Sequence, residues 1–248
     1  MPLPDKIALA FTRQADASDD LGSPFTAMLC RLMRDRLRAD DSAFAARIAA
    51  WPGHAHADAL PIRAAGGFHA LARSGRCPPL SAVYPPAAPD PDALWAGVQA
   101  GIAQEEPFLS TFLDGPPQTN EVARSSVILG GCLTIAAETG LPVEIMEVGS
   151  SAALNLGFDG YRYDLGEGRQ WGERASNVRV SSLWEGPAPD LSTPLKVVDR
   201  AGCDRNPIDA ADPANRERLL AYIWPDQTAR LTRTAAALEA TAAAGRRA

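Results

Sequence analysis

Glu147 closes a short, mostly apolar run, Val143 to Val148, and Gly149, Ser151 and Ala153 follow it at every second position. A strand that ends in a carboxylate and runs into small residues suits a ligand lying against the backbone at a helix N-terminus, where N–H groups are free and bulk is low. Gly149 permits the turn, while Ser151 and Ala153 keep the approach open, although glycine would be the stricter choice at both. Asn155, a few residues on, either holds the turn or reaches a ligand. The same residues also admit a plain reading as a tight strand-to-helix connection with no ligand.

Two other chemistries are weaker. Gly149 to Ala153 reads as G-x-S-x-A after a strand, close to a nucleophile elbow with Ser151 as nucleophile. That arrangement places its general-base histidine after the serine, yet His54, His56 and His69 all precede it, so a hydrolase is not expected. His54-x-His56 with His69 sits in a Gly/Pro-rich stretch with no carboxylate pattern nearby, so no metal site is expected there.

The elements that must position these residues follow from punctuation and periodicity. Helices are predicted over about residues 5–15, from Ser23-Pro24 as N-cap and first helical residue through Leu37, and around residues 43–50 and 62–74. Residues 78–91, with Pro85-Pro86 and Pro89, are expected to form an extended loop. Further helices start at Asp90-Pro91-Asp92 and near Thr119, the second ending at Gly140 with Thr119 or Asn120 as its cap. After Leu141-Pro142 the pattern becomes strand, tight turn, helix, with more strands near residues 161–164, 177–180 and 195–200. Residues 213–244 read as helical with a break at Pro225. The expectation is a helical N-terminal region, residues 1–140, capping an α/β region over residues 141–248.

Composition narrows the function classes. The chain has 248 residues, 46% of them hydrophobic and 22% charged, values of an ordinary globular protein. Lys plus Arg is 24 against 30 for Asp plus Glu, a net charge of −6, so no nucleic-acid partner and no anionic membrane surface is expected. Cys30, Cys77, Cys132 and Cys203 form no CxxC pair, which fits a reducing, cytoplasmic setting. The start, Met1 to Lys6, has no secretory pattern, and the most apolar stretch, residues 127–137, is too short to span a bilayer.

Five ordered segments carry a resemblance. They are Pro117-Gln118-Thr119-Asn120-Glu121-Val122-Ala123-Arg124-Ser125, Glu147 to Leu156, Asp159-x-Tyr161-Arg162-Tyr163 with Trp171-Gly172, Arg200-x-Gly202-Cys203-Asp204-x-Asn206-Pro207-Ile208-Asp209, and Ala221-Tyr222-Ile223-Trp224-Pro225-Asp226-Gln227. Together they resemble the domain of unknown function 2332 (DUF2332) family of uncharacterised bacterial proteins, over roughly residues 117–233. The segment from Glu147 to Leu156 is in turn similar to motif I of class I S-adenosylmethionine-dependent methyltransferases.

That similarity implies an α/β fold with a Rossmann-like methyltransferase sheet and S-adenosylmethionine as cofactor. Glu147 would close the first strand, Gly149, Ser151 and Ala153 would line the cofactor loop, and Gly157 could stand in for Ala153. Asn155 would reach the cofactor, and Asp204, or second Asp199, would bond the ribose diol across an inserted hairpin at residues 161–184. No catalytic residue or methyl acceptor is assigned. Fewer strands are legible than such a sheet needs, so an incomplete sheet, a shortened family member and an exposed edge covered by a second copy or a partner chain are expected. The alternative is a non-catalytic binding or scaffold protein in which the Gly149 turn is structural. Arg124 would face a ligand carboxylate or Glu121, and Tyr222 with Trp224 is read as core packing before an adenine platform.

Overall fold

A computed structural model describes residues 1–247. About half of them are helical, and the strands form two small sheets, giving a mixed α/β protein. The chain divides into two compact units. Residues 1–118 and 220–228 form the first, residues 119–219 and 229–248 the second.

The first unit is built on six helices, α1 (Asp5–Asp20), α2 (Pro24–Arg36), α3 (Ala43–Ala49), α4 (Leu60–Ser74), α5 (Pro78–Ser81) and α6 (Pro91–Phe112). Each long helix buries the stripe its 3.6-residue period predicts: Ile7, Ala10, Phe11 and Ala15 in α1, Phe25, Leu29, Leu32 and Met33 in α2. The stripes meet in one apolar core, with Phe44 edge-on to Phe68 at 5.6 Å. Asp90 caps α6 by accepting the Ala93 N–H at 2.8 Å, and α6 kinks at Glu105, just before Pro107. Two expectations change here. α1 continues five residues past Ala15, and the loop expected over residues 78–91 opens with the short helix α5. The hydroxyl of Ser23, expected as the cap of α2, accepts no backbone N–H of that helix. Asp226 does that work from 200 residues away, accepting the Phe25 N–H at 2.9 Å and a hydrogen bond from the Ser23 hydroxyl.

The second unit holds α7 (Ser125–Thr139), α9 (Thr228–Ala243), most of α8 (Pro213–Ala221) and all five strands: β1 (Val143–Val148), β2 (Arg162–Asp164), β3 (Gln170–Gly172), β4 (Arg179–Ser181) and β5 (Val197–Cys203). β1 and β5 pair in parallel with Glu147 opposite Gly202 and Val148 opposite Cys203. The sequence between them forms a three-stranded sheet in the order β3-β2-β4, in which β2 runs antiparallel to β3 and parallel to β4. The hairpin expected at residues 161–184 is thus a small mixed sheet. Tyr163 of β2 and Tyr161 just before it are buried, with the half-buried Arg162 between them, as a period of two requires.

Two local expectations in this unit are corrected. The helix expected from Thr119 begins instead as a 3₁₀ turn at Val122–Arg124, capped by the Glu121 carboxylate on the Ala123 N–H. The helix expected directly after Gly149 is a six-residue 3₁₀ segment, Asn155–Gly160. The reason lies in the loop before it, where Ser151 and Ala153 adopt left-handed conformations that a helix cannot continue through.

Candidate functional site

The strand period decides what Glu147 meets. Val143, Ile145 and Glu147 share the inner face of β1, while Glu144, Met146 and Val148 face outward and are exposed. A carboxylate is therefore carried in on the apolar face at the carboxyl end of a parallel pair. Burial pushes Glu147 above the ordinary carboxylate range, opposed by the Asn155 amide and the positive charge of Arg124. The Asn155 amide reaches Glu147 Oε1 only at 3.5 Å, and Oε2 is buried with no hydrogen-bond partner among the described residues.

The loop from Gly149 to Leu154 is pinned at nearly every backbone position. Gly149, at φ +75°, turns the chain so that its own N–H and that of Ser150 both donate to the Cys203 carbonyl, at 2.8 and 3.1 Å. Gly202 opposite leaves room for the Ser150 hydroxyl, which a Cβ there would approach to 2.6 Å. Asp204 Oδ2 accepts the Ser151 N–H at 2.9 Å, Asp204 Oδ1 accepts the Asn206 N–H at 2.8 Å, and the Ile208 N–H donates to the Ser151 carbonyl. The Asn206 N–H, and after it the Ser151 N–H, hold the Asp204 carboxyl below its usual range. Ala153 donates to the Ser150 carbonyl, Leu154 donates to Asn120 Oδ1 at 3.1 Å, and the Tyr161 hydroxyl donates to the Leu154 carbonyl.

Against that background the side chains stand out. Ser150 Oγ, Ser151 Oγ and Asn155 Oδ1, like Glu147 Oε2, are buried and lack a hydrogen-bond partner among the described residues. Ser151 and Ala153 hold φ of +55° and +57° without being glycine. Each unpaired buried polar atom costs on the order of 1–3 kcal/mol, and each left-handed non-glycine residue a similar amount. Such costs gathered between the end of β1 and the start of the 3₁₀ segment mark a place that the fold maintains for another reason.

Of the residues singled out from the sequence, Glu147, Gly149, Ser151 and Ala153 fall at the end of β1 and in this loop, Asn155 opens the 3₁₀ segment after it, and Asp204 follows β5 and bonds the loop backbone. Asp204, expected to hold a diol, fixes the Ser151 backbone. Asp199 is exposed and accepts the neighbouring Arg200 N–H, while Gly157 lies inside the 3₁₀ segment beside Arg246 and the Tyr161 hydroxyl. Glu121 pairs with Arg230 and Arg233 of α9, which leaves the Arg124 charge to bear on Glu147. Asn120, read as a helix cap, is instead the buried clamp on Leu154; its place in an ordered motif was a signal, its partner was not. Arg200, which reaches the Leu156 carbonyl and Asp159, was not singled out for a role.

In the first unit, Tyr222 packs on Phe112 at 5.4 Å. His69 is buried, takes the Ala221 carbonyl at 3.1 Å, and burial pushes it down to about 4. His54 and His56 are exposed on a turn. Among the described residues no group of three or more His, Cys, Asp or Glu side chains is placed to hold a metal ion, and no helix is long and apolar enough to cross a membrane.

The fold and site define a mixed α/β protein with a helical unit and a parallel strand pair that ends in a strained, polar loop. The chain belongs to a bacterial family: the model of uncharacterised proteins conserved in bacteria, DUF2332, matches residues 8–247. The match reaches well beyond the segment that carried the resemblance and takes in the helical unit. Searches of curated proteins and of solved structures found no match.

Proposed function

We propose that the chain binds a small polar molecule at the carboxyl end of β1, and that S-adenosylmethionine is the ligand to test first. The observation that carries this reading is that Glu147 Oε2, Ser150 Oγ, Ser151 Oγ and Asn155 Oδ1, all within nine successive residues from the end of β1, are buried and without a hydrogen-bond partner among the described residues, in a stretch with two left-handed non-glycine residues. In open α/β sheets, ligands sit outside the carboxyl ends of parallel strands, and this loop occupies that position relative to β1 and β5. The parallel pair is also the part of a Rossmann-like sheet that the methyltransferase reading requires.

The residues present suit such a ligand in kind. Glu147 offers a desolvated carboxylate to a cationic centre such as a sulfonium, and Asn155 and Ser151 offer uncommitted hydrogen-bonding atoms. Asp204 supports them indirectly by fixing the loop. The cofactor would supply an already activated methyl group when bound, and the contribution of this chain would be to position it.

Calorimetric titration of the purified chain with S-adenosylmethionine and S-adenosylhomocysteine tests the proposal. Micromolar binding by the parent, lost in a folded Glu147→Gln variant, is the expected result. Absence of heat from a chain shown to be folded removes the cofactor, and equal affinity in parent and variant moves any binding away from this loop.

A further inference from the structure

The helical unit carries a second polar feature, independent of the loop after β1. α1 sets Lys6, Leu9, Ala10 and Arg13 at i, i+3, i+4 and i+7, so they share one helix face. They form one wall of a groove of about 310 Å³ whose other wall, residues 53–56, contributes His54 and His56. No carboxylate lines it. Among the described residues neither Lys6 nor Arg13 has an ion-pair or hydrogen-bond partner, whereas Arg31, Arg34, Arg36, Arg47 and Arg76 of the same unit are each paired with a carboxylate. In a chain of net charge −6, uncompensated cations gathered in one groove run against the overall balance.

The histidine-bearing wall is built, not loose. The His54, Ala55 and His56 carbonyls accept the Asp58, Leu60 and Ala59 N–H groups at 2.8, 2.9 and 3.0 Å. The buried Trp51 donates its indole N–H to Asp58 Oδ2 at 2.8 Å, which anchors the turn and occupies the nearby carboxylate. His54 Nδ1 accepts the Ala57 N–H at 3.1 Å, so its neutral ring carries the proton on Nε2 and remains a donor. Lys6, Arg13, His54 and His56, from two fixed elements, thus line one concavity together with the apolar Leu9, Ala10 and Ala55.

We propose that this groove binds a small oxyanion of the phosphate class, either free or as the head of a phosphorylated metabolite. A tetrahedral oxyanion presents several acceptors at once, which fits donors approaching from both walls, and the volume lies at the lower end of small-ligand sites. The test is titration of the full chain at fixed ionic strength with inorganic phosphate, glycerol 3-phosphate and citrate. Binding of phosphate and ester alike indicates recognition of the head alone, and tighter binding of the ester adds the apolar lining; both support the proposal. Lys6→Gln and Arg13→Gln, at exposed positions, should each weaken binding about tenfold, as expected for loss of one charged hydrogen bond. Arg247→Gln removes the same charge outside the groove and should leave binding unchanged. No binding, citrate binding as tightly as phosphate, or an equal loss in Arg247→Gln would overturn it.

Discussion

Glu147 is a carboxylate held where a carboxylate is uncomfortable. Because burial raises its folded-state pKa above the ordinary 4.5, the native state holds the proton more tightly than the unfolded chain does. Stability contributed by this group is therefore lost as pH rises from about 4.5 through the higher native value, and at neutral pH the ionised group works against folding. Glu147→Gln should then melt no lower than the parent at pH 7, with the difference closing near pH 4, in parallel thermal scans at the two pH values. A clear drop in melting temperature at pH 7 would show that the carboxylate is structural. A gain in stability joined to lost ligand affinity is the pattern of a site kept for binding.

At the scale of elements, the second unit depends on a clamp between the start of α7 and the C-terminal helix. Glu121 accepts the Ala123 N–H and pairs with Arg230 and Arg233, so one side chain caps the 3₁₀ turn and ties α9 to it. Burial alone would raise its pKa, but the Ala123 N–H and the two guanidinium groups prevail and lower it. This contribution is complete above about pH 4.5 and fades as pH falls through the depressed native value. The pair is partly buried, so Glu121→Gln should cost about 1–3 kcal/mol, less than a fully buried pair would. Urea unfolding at pH 7 measures it, and a change below about 0.5 kcal/mol would mean that the clamp is ornamental.

For the whole molecule, charge and bare apolar surface act together. The outer face of β1 leaves Met146 81% and Val148 89% exposed, beside Ala201 and Cys203 of β5, and a two-stranded parallel sheet has two open edges. Parallel sheets in most proteins are covered on both faces. Net charge of −6 keeps copies apart at neutral pH, and that repulsion vanishes near the pI of about 5.1. Solubility should therefore pass through a minimum near pH 5, and a Met146→Thr, Val148→Thr double variant, which leaves the charge unchanged, should raise that minimum in a turbidity series. An unaltered minimum would place the sticky surface elsewhere.

Features that depend on neighbours in the chain are legible before folding. Proline and glycine punctuation with apolar periodicity placed α2, α3, α4, α6 and β1 and the start, though not the end, of α1; Pro24 and Asp90 marked helix starts, and Pro225 marked the break before α9. Gly149, Ser151, Ala153 and Asn155 were legible as one group because their spacing is local, although a helix was expected where Ser151 and Ala153 form a loop. Tertiary structure alone decided which distant groups complete these pieces: Asp226 capping α2, Asn120 holding Leu154, Asp204 taking the Ser151 N–H, and Arg230 with Arg233 taking Glu121. It also decided that left-handed Ser151 and Ala153 replace the expected helix with a 3₁₀ segment, since backbone N–H groups there are drawn to partners that local sequence cannot reveal. Periodicity reports which face of an element is apolar; only the folded chain fixes what that face meets, and so which buried polar atoms find a partner and which are left over.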